Sequence, residues 1–567
     1  MNENTTPESW TEDDRCGHDG LTDHFHLGTA ALEPHELAEV DELEALVAAD
    51  TMIIDERGDL VADAAAEQAD EDEDAPVRAR RSRERKPARD LSSYLKQHLA
   101  DLESLPTYRP TIGCVIPAYN EAESIEAVLR SLLAQTRLPD QIHVIVNNTK
   151  DATFDIAARF AGPRKGRKPT LEEKRRGIKR GKTEVFVHDI GENPDKKVGA
   201  LNYGYALIDG SGDFRADYLL GVDGDTTLAV DAVEKLEAEI CSDSRIGGIS
   251  AIYSIDDSVQ KGLVAPLLIA GQRAQFAAFN MQNMLRGRNM AVLGGQCSIF
   301  SMKALREVMT ANHQKTPWVN DSEVEDSLLS LQIKSAGYLT KISATARADV
   351  GGMTTLRSLD GQQVKWNYGA IDLMWPGQRG DTKGQPFHPN LRLRWAENVG
   401  MLTNIFTRIA FVLLLAAALS IHAFVFSPLW LIPPAVAILL NVRIAMSMKN
   451  RTWKDIVFAA TGIPAELYMW LRAGHFLRAW SKFLSKVKTD NWAEQAKAER
   501  GSGNSYLMPL VILLVSFVAL AITWLQMPTV VQSTVLWLGW PVLYVVTIAQ
   551  TVVMAAKLFR RQHGYRV

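Results

Sequence analysis

The sequence predicts an α/β domain, a mostly parallel sheet with helices on both faces, followed by an α-helical membrane region. From Tyr108 onwards, short apolar strands alternate with helical segments, a pattern typical of a parallel sheet covered by helices. After Gly400 the chain contains apolar runs long enough to span a bilayer. At 567 residues the chain also exceeds what one hydrophobic core usually organises, which favours several units.

Residues 1–76 are predicted to form an acidic disordered tail. They hold about two dozen Asp and Glu residues against only Arg15 and Arg57, and such a segment buries too little apolar surface to fold. Residues 77–107 reverse the charge and are interpreted as a basic linker followed by an amphipathic helix. We expect this linker either to stay solvated or to contact anionic lipid headgroups. The tail is a candidate docking segment for a partner subunit.

The overall composition gives limited information about binding partners and cellular compartment. The net charge of -5 is a cancellation between regions, so it gives no indication of nucleic-acid binding, and we expect no nucleic-acid partner. The cysteines lie far apart without a CxxC pair, which is typical of a reducing compartment. We expect no secretory signal, so membrane insertion would come from internal helices.

Residues 108–378 are predicted to form the α/β domain, and each of its chemistry-bearing strings is interpreted as lying at the carboxyl end of an apolar strand. In order they are TIGCVIPAYNEAESI (111–125), KKVGALNYG (196–204), GVDGDTTL (221–228), SEVEDSLLSLQIKSAGY (322–338) and QQVKW (362–366). Ligands bind at the carboxyl ends of such strands, so we expect these strings to form one site. Asp223 and Asp225 are two residues apart, and hard carboxylate oxygens at this spacing suit Mg²⁺ or Mn²⁺ while leaving room for phosphates.

Together these five ordered motifs resemble family 2 glycosyltransferases, inverting enzymes that move a sugar from a nucleotide donor. QQVKW is similar to the Q(Q/R)xRW signature of the membrane-embedded synthases of cellulose, chitin, hyaluronan and poly-N-acetylglucosamine. The resemblance covers roughly residues 108–378. It implies a GT-A-type fold, a UDP-sugar donor, Mg²⁺ or Mn²⁺ as the cofactor and a β-linked polysaccharide as the product.

The resemblance also implies roles for individual residues at the donor. Asp225 would ligate the cation, and Asp223 would contact the cation or the ribose. Two of these donor positions depart from the family pattern. Asn147 stands where an acidic residue is usual. Lys365 replaces the usual Arg, and a lysine lacks the bidentate fork of a guanidinium. The full set of predicted nucleotide-sugar contacts is Tyr119, Glu121, Asn147, Asp151, Lys197, Asn202, Asp223 and Lys365.

At the acceptor, the string VEDSLL corresponds to the family's TED motif and implies that Asp326 is the general base. Inverting transfer needs a carboxylate that takes the proton of the acceptor hydroxyl. Glu325 is interpreted as supporting, with Asp321 and Glu323 as nearby alternates. Trp366 would form a floor for an acceptor sugar, the alternative being a core tryptophan. The predicted acceptor residues are Gly295, Trp366, Gln362 and Gln363.

Residues 379–567 are predicted to form the membrane region. Apolar spans are expected near 401–426, 429–446, 507–524 and 535–554, with an interfacial amphipathic helix near 456–487. Positive charge is concentrated in the turn at 447–454 and in the C-terminal segment, which predicts that both, with the α/β domain, are cytoplasmic. We therefore expect a multi-pass protein of the plasma membrane, in contact with lipids.

The favoured function is transfer from a UDP-sugar to a growing polysaccharide, with export through the chain's own helices. The alternative is a non-processive enzyme that glycosylates a lipid acceptor. A catalytically inactive scaffold is disfavoured because Asp223, Asp225 and Asp326 are all present.

Overall fold

The computed structural model describes residues 109–175, 177, 179–210, 214–256, 264–320, 324–374, 391–485, 507–560 and 566. All of them belong to the second of the two units into which the chain divides, Pro106–Val567. The predicted acidic tail and basic linker lie outside the described residues, and so do the alternate carboxylates Asp321 and Glu323.

The catalytic half is built on one nine-stranded mixed sheet, in the order β3-β4-β2-β1-β5-β8-β7-β9-β6. The strands are β1 Ile112–Ala118, β2 Gln141–Val146, β3 Gly162–Lys165, β4 Lys182–Asp189, β5 Tyr218–Val222, β6 Thr226–Leu228, β7 Ile246–Ile255, β8 Cys297–Ser301 and β9 Leu339–Val350. Strands β1, β2, β4 and β5 pair in parallel as predicted, whereas β8 runs antiparallel to both β5 and β7. The predicted α/β fold class is confirmed, with a larger antiparallel share than the strand–helix alternation indicated.

Helices cover both faces of this sheet. They are α1 Ile125–Leu133, α2 Thr153–Ala158, α3 Leu171–Arg175, α4 Lys196–Gly210, α5 Ala232–Cys241, α6 Ala265–Leu285, α7 Met302–Ala311, α8 Glu325–Ser335 and α9 Leu356–Met374. Successive residues of a strand point to opposite faces. In β1, Cys114 and Ile116 join the core formed with α1 and α5, whereas Val115 joins the core formed with α4, α7 and α8. The fully apolar β1 is therefore buried from both sides, as expected for a central parallel strand.

The membrane half consists of further helices: α10 Arg392–Ser420, α11 Ile432–Ser447, α12 Trp453–Thr461, α13 Ile463–Leu484, α14 Leu507–Gln526 and α15 Thr529–Phe559. In the described part of the chain, three helical segments are long and apolar enough to cross a membrane: Arg392–Ser420, Pro428–Ser447 and Thr529–Phe559. They correspond to the predicted spans 401–426, 429–446 and 535–554. The fourth predicted span, 507–524, lies within α14, whose residues Leu514–Gln526 form a shorter apolar helix.

The predicted interfacial helix at 456–487 is divided into two helices by Gly462. This residue has φ of 71°, a left-handed conformation that glycine adopts without the steric cost of a Cβ, and it separates α12 from α13. Helix α13 does not lie apart from the catalytic half. It packs against α9 through Ala479, which contacts Val364 and Ile371 in one apolar cluster.

The membrane helices are fixed to the catalytic half by two kinds of contact. Leu440 and Ile444 of α11 pack with Met281 of α6 in an apolar cluster. Beside it, Arg273 of α6 pairs with Asp455 of α12, with both side chains 5% exposed and an Nε to Oδ1 distance of 2.9 Å. A paired and hydrogen-bonded buried charge costs far less than an isolated one, so this pair fixes the register of the two halves.

Candidate active site

Two carboxylates lie directly after the central strand β5. Asp223 and Asp225 occupy the tight turn between β5 and β6, closed by a hydrogen bond from the Thr226 N–H to the Asp223 carbonyl oxygen at 3.1 Å. Both residues line the same cavity. The predicted spacing therefore does bring the two carboxylates to one place at the carboxyl end of a strand.

Lys197, in the first turn of α4, is the counter-charge of this site. Its Nζ is 2.7 Å from Asp223 Oδ1 and 3.6 Å from Glu325 Oε1. Burial alone would lower the pKa of Lys197, but Asp223, Asp326 and Glu325 together raise it well above its ordinary value. The lysine is therefore protonated, and it joins the Asp223 turn to the beginning of α8.

Asp326, the predicted base, is held by the backbone of Gly295. The Gly295 N–H donates to Asp326 Oδ2 at 2.8 Å. A Cβ at position 295 would lie 2.6 Å from Lys197 Nζ and 2.8 Å from Asp326 Oδ2, so a side chain there would displace at least one of the two groups. Burial, followed by repulsion from Glu325, raises the pKa of Asp326 to about 7, with Lys197 acting in the opposite direction. A carboxylate with this pKa is suited to take up a proton near neutral pH.

Asp225 has the environment expected of a cation ligand. Burial raises its pKa to about 6, and the neighbouring Asp223 adds to the shift. Within the described ranges no group of three or more His, Cys, Asp or Glu side chains is arranged to hold a metal ion. Two carboxylates fit Mg²⁺ or Mn²⁺ when substrate phosphates supply the remaining oxygens, which is how magnesium is commonly bound.

The other end of the donor region is lined by uncharged amides. Asn147 is 2% exposed; its Nδ2 donates to the Ala118 carbonyl oxygen at 3.2 Å, and its Oδ1 accepts from Asn148 and Asn193. All three asparagines line the cavity. Tyr119, which is 42% exposed, lines it as well. Asn193 was not predicted from the sequence, because it follows β4 in a string without a recognised motif.

Glu121 also lines the cavity, and its carboxylate accepts from Ser124 Oγ at 2.6 Å. The same hydroxyl donates to the Gly224 carbonyl oxygen at 2.9 Å. Glu121 and Ser124 therefore link the loop after β1 to the turn that carries Asp223 and Asp225. This link explains how two motifs 100 residues apart hold one geometry.

Two predicted donor contacts lie elsewhere, because neither is among the residues that line the cavity in the described part of the chain. Asn202 uses both ends of its amide on the Trp318 backbone, donating to its carbonyl oxygen at 2.8 Å and accepting from its N–H at 3.2 Å. Asp151 accepts from the N–H groups of Ala122 and Thr153 at 3.1 and 3.0 Å. Burial would raise the pKa of Asp151, but a hydrogen bond from the Thr153 hydroxyl and the two bonds from these N–H groups lower it. Both residues position neighbouring backbone.

The QQVKW string lies in α9 and faces the cavity. Gln362, Gln363, Lys365 and Trp366 all line it, with Lys365 only 5% exposed. The Trp366 ring meets Phe276 of α6 edge to face, with ring centroids 6.3 Å apart. Trp366 is therefore partly supported by the core and partly open to the cavity, so the two interpretations of this residue are compatible.

A chain of hydrogen bonds reaches Gln363 from α13. Tyr468 Oη donates to Gln275 Oε1 at 2.9 Å, and Gln275 Nε2 donates to Gln363 Oε1 at 3.1 Å. Burial raises the pKa of Tyr468 above its ordinary value, so its hydroxyl keeps its proton. The tyrosine thereby fixes which end of each amide faces which neighbour. This relay could not be predicted from the sequence, because its three members come from three distant helices.

The groups that line the cavity share one continuous space of roughly 1020 Å³. At one end lie Asp223, Asp225 and Asp326, and at the other lie residues of α10 and α13. The members of this second end are Asn398, Met401, Asn404, Met469, Arg472 and Phe476. The cavity thus extends from the carboxyl ends of the sheet strands to a helix long enough to span a membrane.

Two family models match the chain. Residues 114–309 match glycosyl transferase family 2, and residues 218–447 match glycosyl transferase family group 2. The poly-beta-1,6-N-acetyl-D-glucosamine synthases of Staphylococcus aureus strains COL and MRSA252 are each 22% identical over 263 residues, which is 46% of this chain and 55% of theirs. The chain therefore spans about half the length of the curated relatives it matches.

Two solved structures are also similar. A mannosyltransferase from Pyrobaculum calidifontis, in complex with GDP-Man and Mn²⁺, aligns with 15% identity and a TM-score of 0.38, over 70% of this chain and 95% of that chain. Residues 1–349 of S. aureus TarS, in complex with UDP-GlcNAc, align with 14% identity and a TM-score of 0.28, over 46% of this chain and 66% of that chain.

The sheet, the ordered motifs at its strand ends and the matched family models agree with one another. The apolar helices of the membrane half and the distant synthase relatives agree with the QQVKW resemblance as well. We conclude that the chain is a family 2 glycosyltransferase that resembles the processive polysaccharide synthases.

Proposed function

We propose that this protein transfers a sugar from a UDP-sugar, with inversion, to the end of a growing β-linked polysaccharide. The observation that carries the proposal is the single cavity. It contains the paired carboxylates Asp223 and Asp225, the base Asp326 and the aromatic ring of Trp366, and it continues to α10 and α13. A polymerising enzyme needs a donor site, a base and a grip on its product within one continuous space.

At the donor end, Asp223 and Asp225 are the proposed ligands of Mg²⁺ or Mn²⁺. Such a cation would offset the negative charge that develops on the departing diphosphate. Lys197, 2.7 Å from Asp223 Oδ1, is close enough to share a phosphate with this site. Lys365 lines the cavity from α9 and would face the diphosphate from the other side, whereas Gln362 is kept as a proposed acceptor contact. The nucleoside would lie against Tyr119 and the asparagine-lined wall.

At the acceptor end, Asp326 is the proposed general base. The acceptor hydroxyl oxygen attacks the sugar C1 from the face opposite the diphosphate, its proton passes to the Asp326 carboxylate, and the bond from C1 to the diphosphate breaks. The Gly295 N–H holds Asp326 Oδ2 at 2.8 Å and leaves the second carboxylate oxygen for the hydroxyl. Trp366 would stack against the terminal sugar, since apolar stacking on an aromatic face retains a sugar between rounds.

The proposed setting is the plasma membrane, with the catalytic half and the C-terminus in the cytoplasm. The three apolar helical segments and the positively charged turn at 447–454 support this orientation. The product would then leave the catalytic half on its membrane side. The proposed partners are the UDP-sugar, the polysaccharide and the surrounding lipids.

A second candidate function is single transfer to a lipid acceptor. The apolar residues Met401, Met469 and Phe476 at the membrane end of the cavity favour it. These side chains cannot form hydrogen bonds with the hydroxyl groups of a saccharide, but they can pack against the apolar chain of a lipid. The same donor and base residues would act, and only the acceptor would differ.

Product analysis of the purified protein in detergent, supplied with radiolabelled UDP-sugars, tests the proposal. We expect material of high mass, and we expect Trp366→Ala to shorten it or abolish it while slow hydrolysis of the donor continues. Phe154→Ala, in an exposed ring on α2 outside the cavity, is the matched control and should leave chain length unchanged. A wild-type product that runs as one lipid-soluble species would contradict the polymer proposal and favour the second candidate.

A further inference from the structure

The membrane end of the cavity contains a cation that the proposed transfer chemistry does not use. Arg472 of α13 lines the cavity, yet it makes no ion pair or hydrogen bond to any residue that the structure describes. Other charged residues of the same helix are paired. Glu466 accepts from Arg408 of α10 at 2.6 Å, and Arg478 pairs with Asp360 of α9. Arg472 is therefore an exception on its own helix.

The surroundings of Arg472 make an unpaired positive charge at this position energetically unfavourable. Burial lowers its pKa below the ordinary value, although the guanidinium remains charged. Arg472 is half-buried, so its guanidinium is only partly hydrated, and charges in such positions are usually paired. An anion in the cavity would neutralise the charge of Arg472. A guanidinium binds phosphate or carboxylate through two parallel hydrogen bonds.

The residues around Arg472 indicate what accompanies the anion. Met469 and Phe476 lie about one helical turn before and after it on the cavity side of α13. Phe476 belongs to an apolar cluster with Ile405 of α10, and Met401 packs against the same cluster. Helix α10 is long and apolar enough to span a membrane. A cation set among apolar side chains beside a candidate membrane span suits an amphiphile with a charged head.

We propose that Arg472 binds the phosphate of an anionic amphiphile, with the head at Arg472 and the apolar chain along the α10 side of the cavity. The source of the phosphate is a membrane lipid, because α10 beside the site is long and apolar enough to span a membrane. This site is separate from the donor carboxylates, so the proposal goes beyond sugar transfer and does not depend on the identity of the product.

Isothermal titration calorimetry of the full chain in neutral detergent tests the proposal without any donor. The probes are dodecyl phosphate and inorganic phosphate, with dodecyl maltoside as the neutral amphiphile. We expect dodecyl phosphate to bind best, and we expect Arg472→Gln to weaken it roughly ten- to hundredfold, as for the loss of a charge-assisted hydrogen bond. Lys454→Gln removes an exposed charge from α12 and serves as the matched control, with unchanged affinity.

Each alternative outcome contradicts a stated part of the proposal. Equal binding of dodecyl phosphate to wild type and Arg472→Gln would overturn the role of the guanidinium. Equal binding of inorganic and dodecyl phosphate would indicate a site for a free anion and would overturn the amphiphile. Equal binding of dodecyl maltoside and dodecyl phosphate would indicate an apolar groove without anion recognition.

A second measurement on the wild-type chain covers the case in which the variant fails to fold. Phenylglyoxal modifies accessible arginines, and peptide mass spectrometry reports the extent at each position. Dodecyl phosphate should protect Arg472 while leaving the exposed Arg451 as reactive as before. Unchanged modification of Arg472 at saturating dodecyl phosphate would overturn the proposal. Since no sugar donor is present, a failure of the proposed glycosyl transfer would not affect either result.

Discussion

At the donor end of the cavity the charged groups satisfy one another, whereas at the membrane end several polar atoms have no partner. Lys197 holds Asp223, and the Gly295 N–H holds Asp326. At the other end and along the adjoining parts of α9 and α10, three buried atoms lack a hydrogen-bond partner within the described ranges: Gln363 Nε2, Asn398 Oδ1 and Arg394 Nε. Buried polar groups are nearly always hydrogen-bonded, so such exceptions require an explanation.

This difference indicates which side chains of the site are already oriented before the substrate binds. Groups that act on a short-lived transition state work best when they are already oriented, because no reorganisation is then needed during the reaction. Groups that hold a ligand can instead be completed by that ligand. We interpret the donor end as preorganised and the membrane end as completed by a bound molecule.

The strongest test of the donor end is Asp326→Asn. We expect transfer to fall by roughly a hundred- to ten-thousandfold, the usual range for loss of a general base. Binding of UDP should change little, because the base acts on the acceptor hydroxyl. Initial rates with calorimetric UDP binding measure the two effects separately. Glu325→Gln is the neighbouring control and should cost less; a larger loss than in Asp326→Asn would make Glu325 the base.

Removal of divalent cations is the next test. Asp223 and Asp225 carry negative charge toward the proposed diphosphate position, so turnover without Mg²⁺ or Mn²⁺ should drop roughly a thousandfold, as expected for several kcal/mol of charge stabilisation. Rates measured in excess EDTA, with and without added Mn²⁺, check this. Full activity in EDTA would contradict the assignment of Asp223 and Asp225 as cation ligands.

Gly295→Ala tests whether the donor end tolerates any displacement. The added methyl would lie 2.6 Å from Lys197 Nζ and 2.8 Å from Asp326 Oδ2, so one of the two must move. A shift of about 1 Å in a reacting group costs on the order of a hundredfold in rate. Gly474→Ala on α13, where a methyl meets nothing within 4 Å, should leave turnover unchanged. Equal rates in both variants would show that the donor end adjusts freely.

The dependence of the transfer rate on pH is a further test of the donor end. Burial raises the pKa of Asp326 to about 7, and a general base acts only when deprotonated. Transfer should therefore rise with pH and level off above about 7, falling roughly tenfold for each unit below that value. Rates at saturating donor and cation between about pH 5 and pH 9 measure it. An inflection near the ordinary aspartate pKa of about 4 would show that burial does not control this group.

The sequence predicted the donor end far better than the membrane end. Asp223, Asp225 and Asp326 belong to short motifs, and strands of a parallel sheet bring such motifs to one edge. Even there, Asn202 matched a motif yet holds the Trp318 backbone outside the cavity. A motif gives the residue type at a position, but the direction of the side chain depends on the packing around it.

The membrane end could not be predicted in the same way. Gln275, Tyr468 and Arg472 lie in α6 and α13, long helices whose relative placement follows from tertiary packing. Gln275 reaches Gln363 of the QQVKW helix and Tyr468 packs with Leu359 of the same helix, contacts that depend on how α6, α9 and α13 pack together. Arg472 was visible in the sequence as one of several basic residues in an amphipathic segment. Nothing there distinguished it from Arg478, which the structure pairs with Asp360.

Tyr468→Phe tests the membrane end with the smallest change. The lost hydroxyl donates to Gln275 Oε1 at 2.9 Å, so the amides of Gln275 and Gln363 would be free to turn over. A typical hydrogen bond contributes about 0.5–1.5 kcal/mol, so we expect the acceptor KM to rise roughly three- to tenfold with kcat nearly unchanged. Steady-state kinetics with an acceptor series measure both constants. Tyr205→Phe is the matched control, because the Tyr205 hydroxyl bonds to Asp209 away from the cavity.

Gln275→Glu tests whether the hydrogen-bond relay orients Gln363 or whether Tyr468 only fills space beside it. A carboxylate accepts hydrogen bonds at both oxygens, so it would keep the bond from Tyr468 but could bind Gln363 only through the Gln363 Nε2 group. Gln363 would then turn its carbonyl oxygen to where its Nε2 now lies. If the relay acts by orienting Gln363, Gln275→Glu should raise the acceptor KM as Tyr468→Phe does, although Tyr468 remains in place. If Tyr468 only fills space, both variants should match wild type, and the membrane end would be no less preorganised than the donor end.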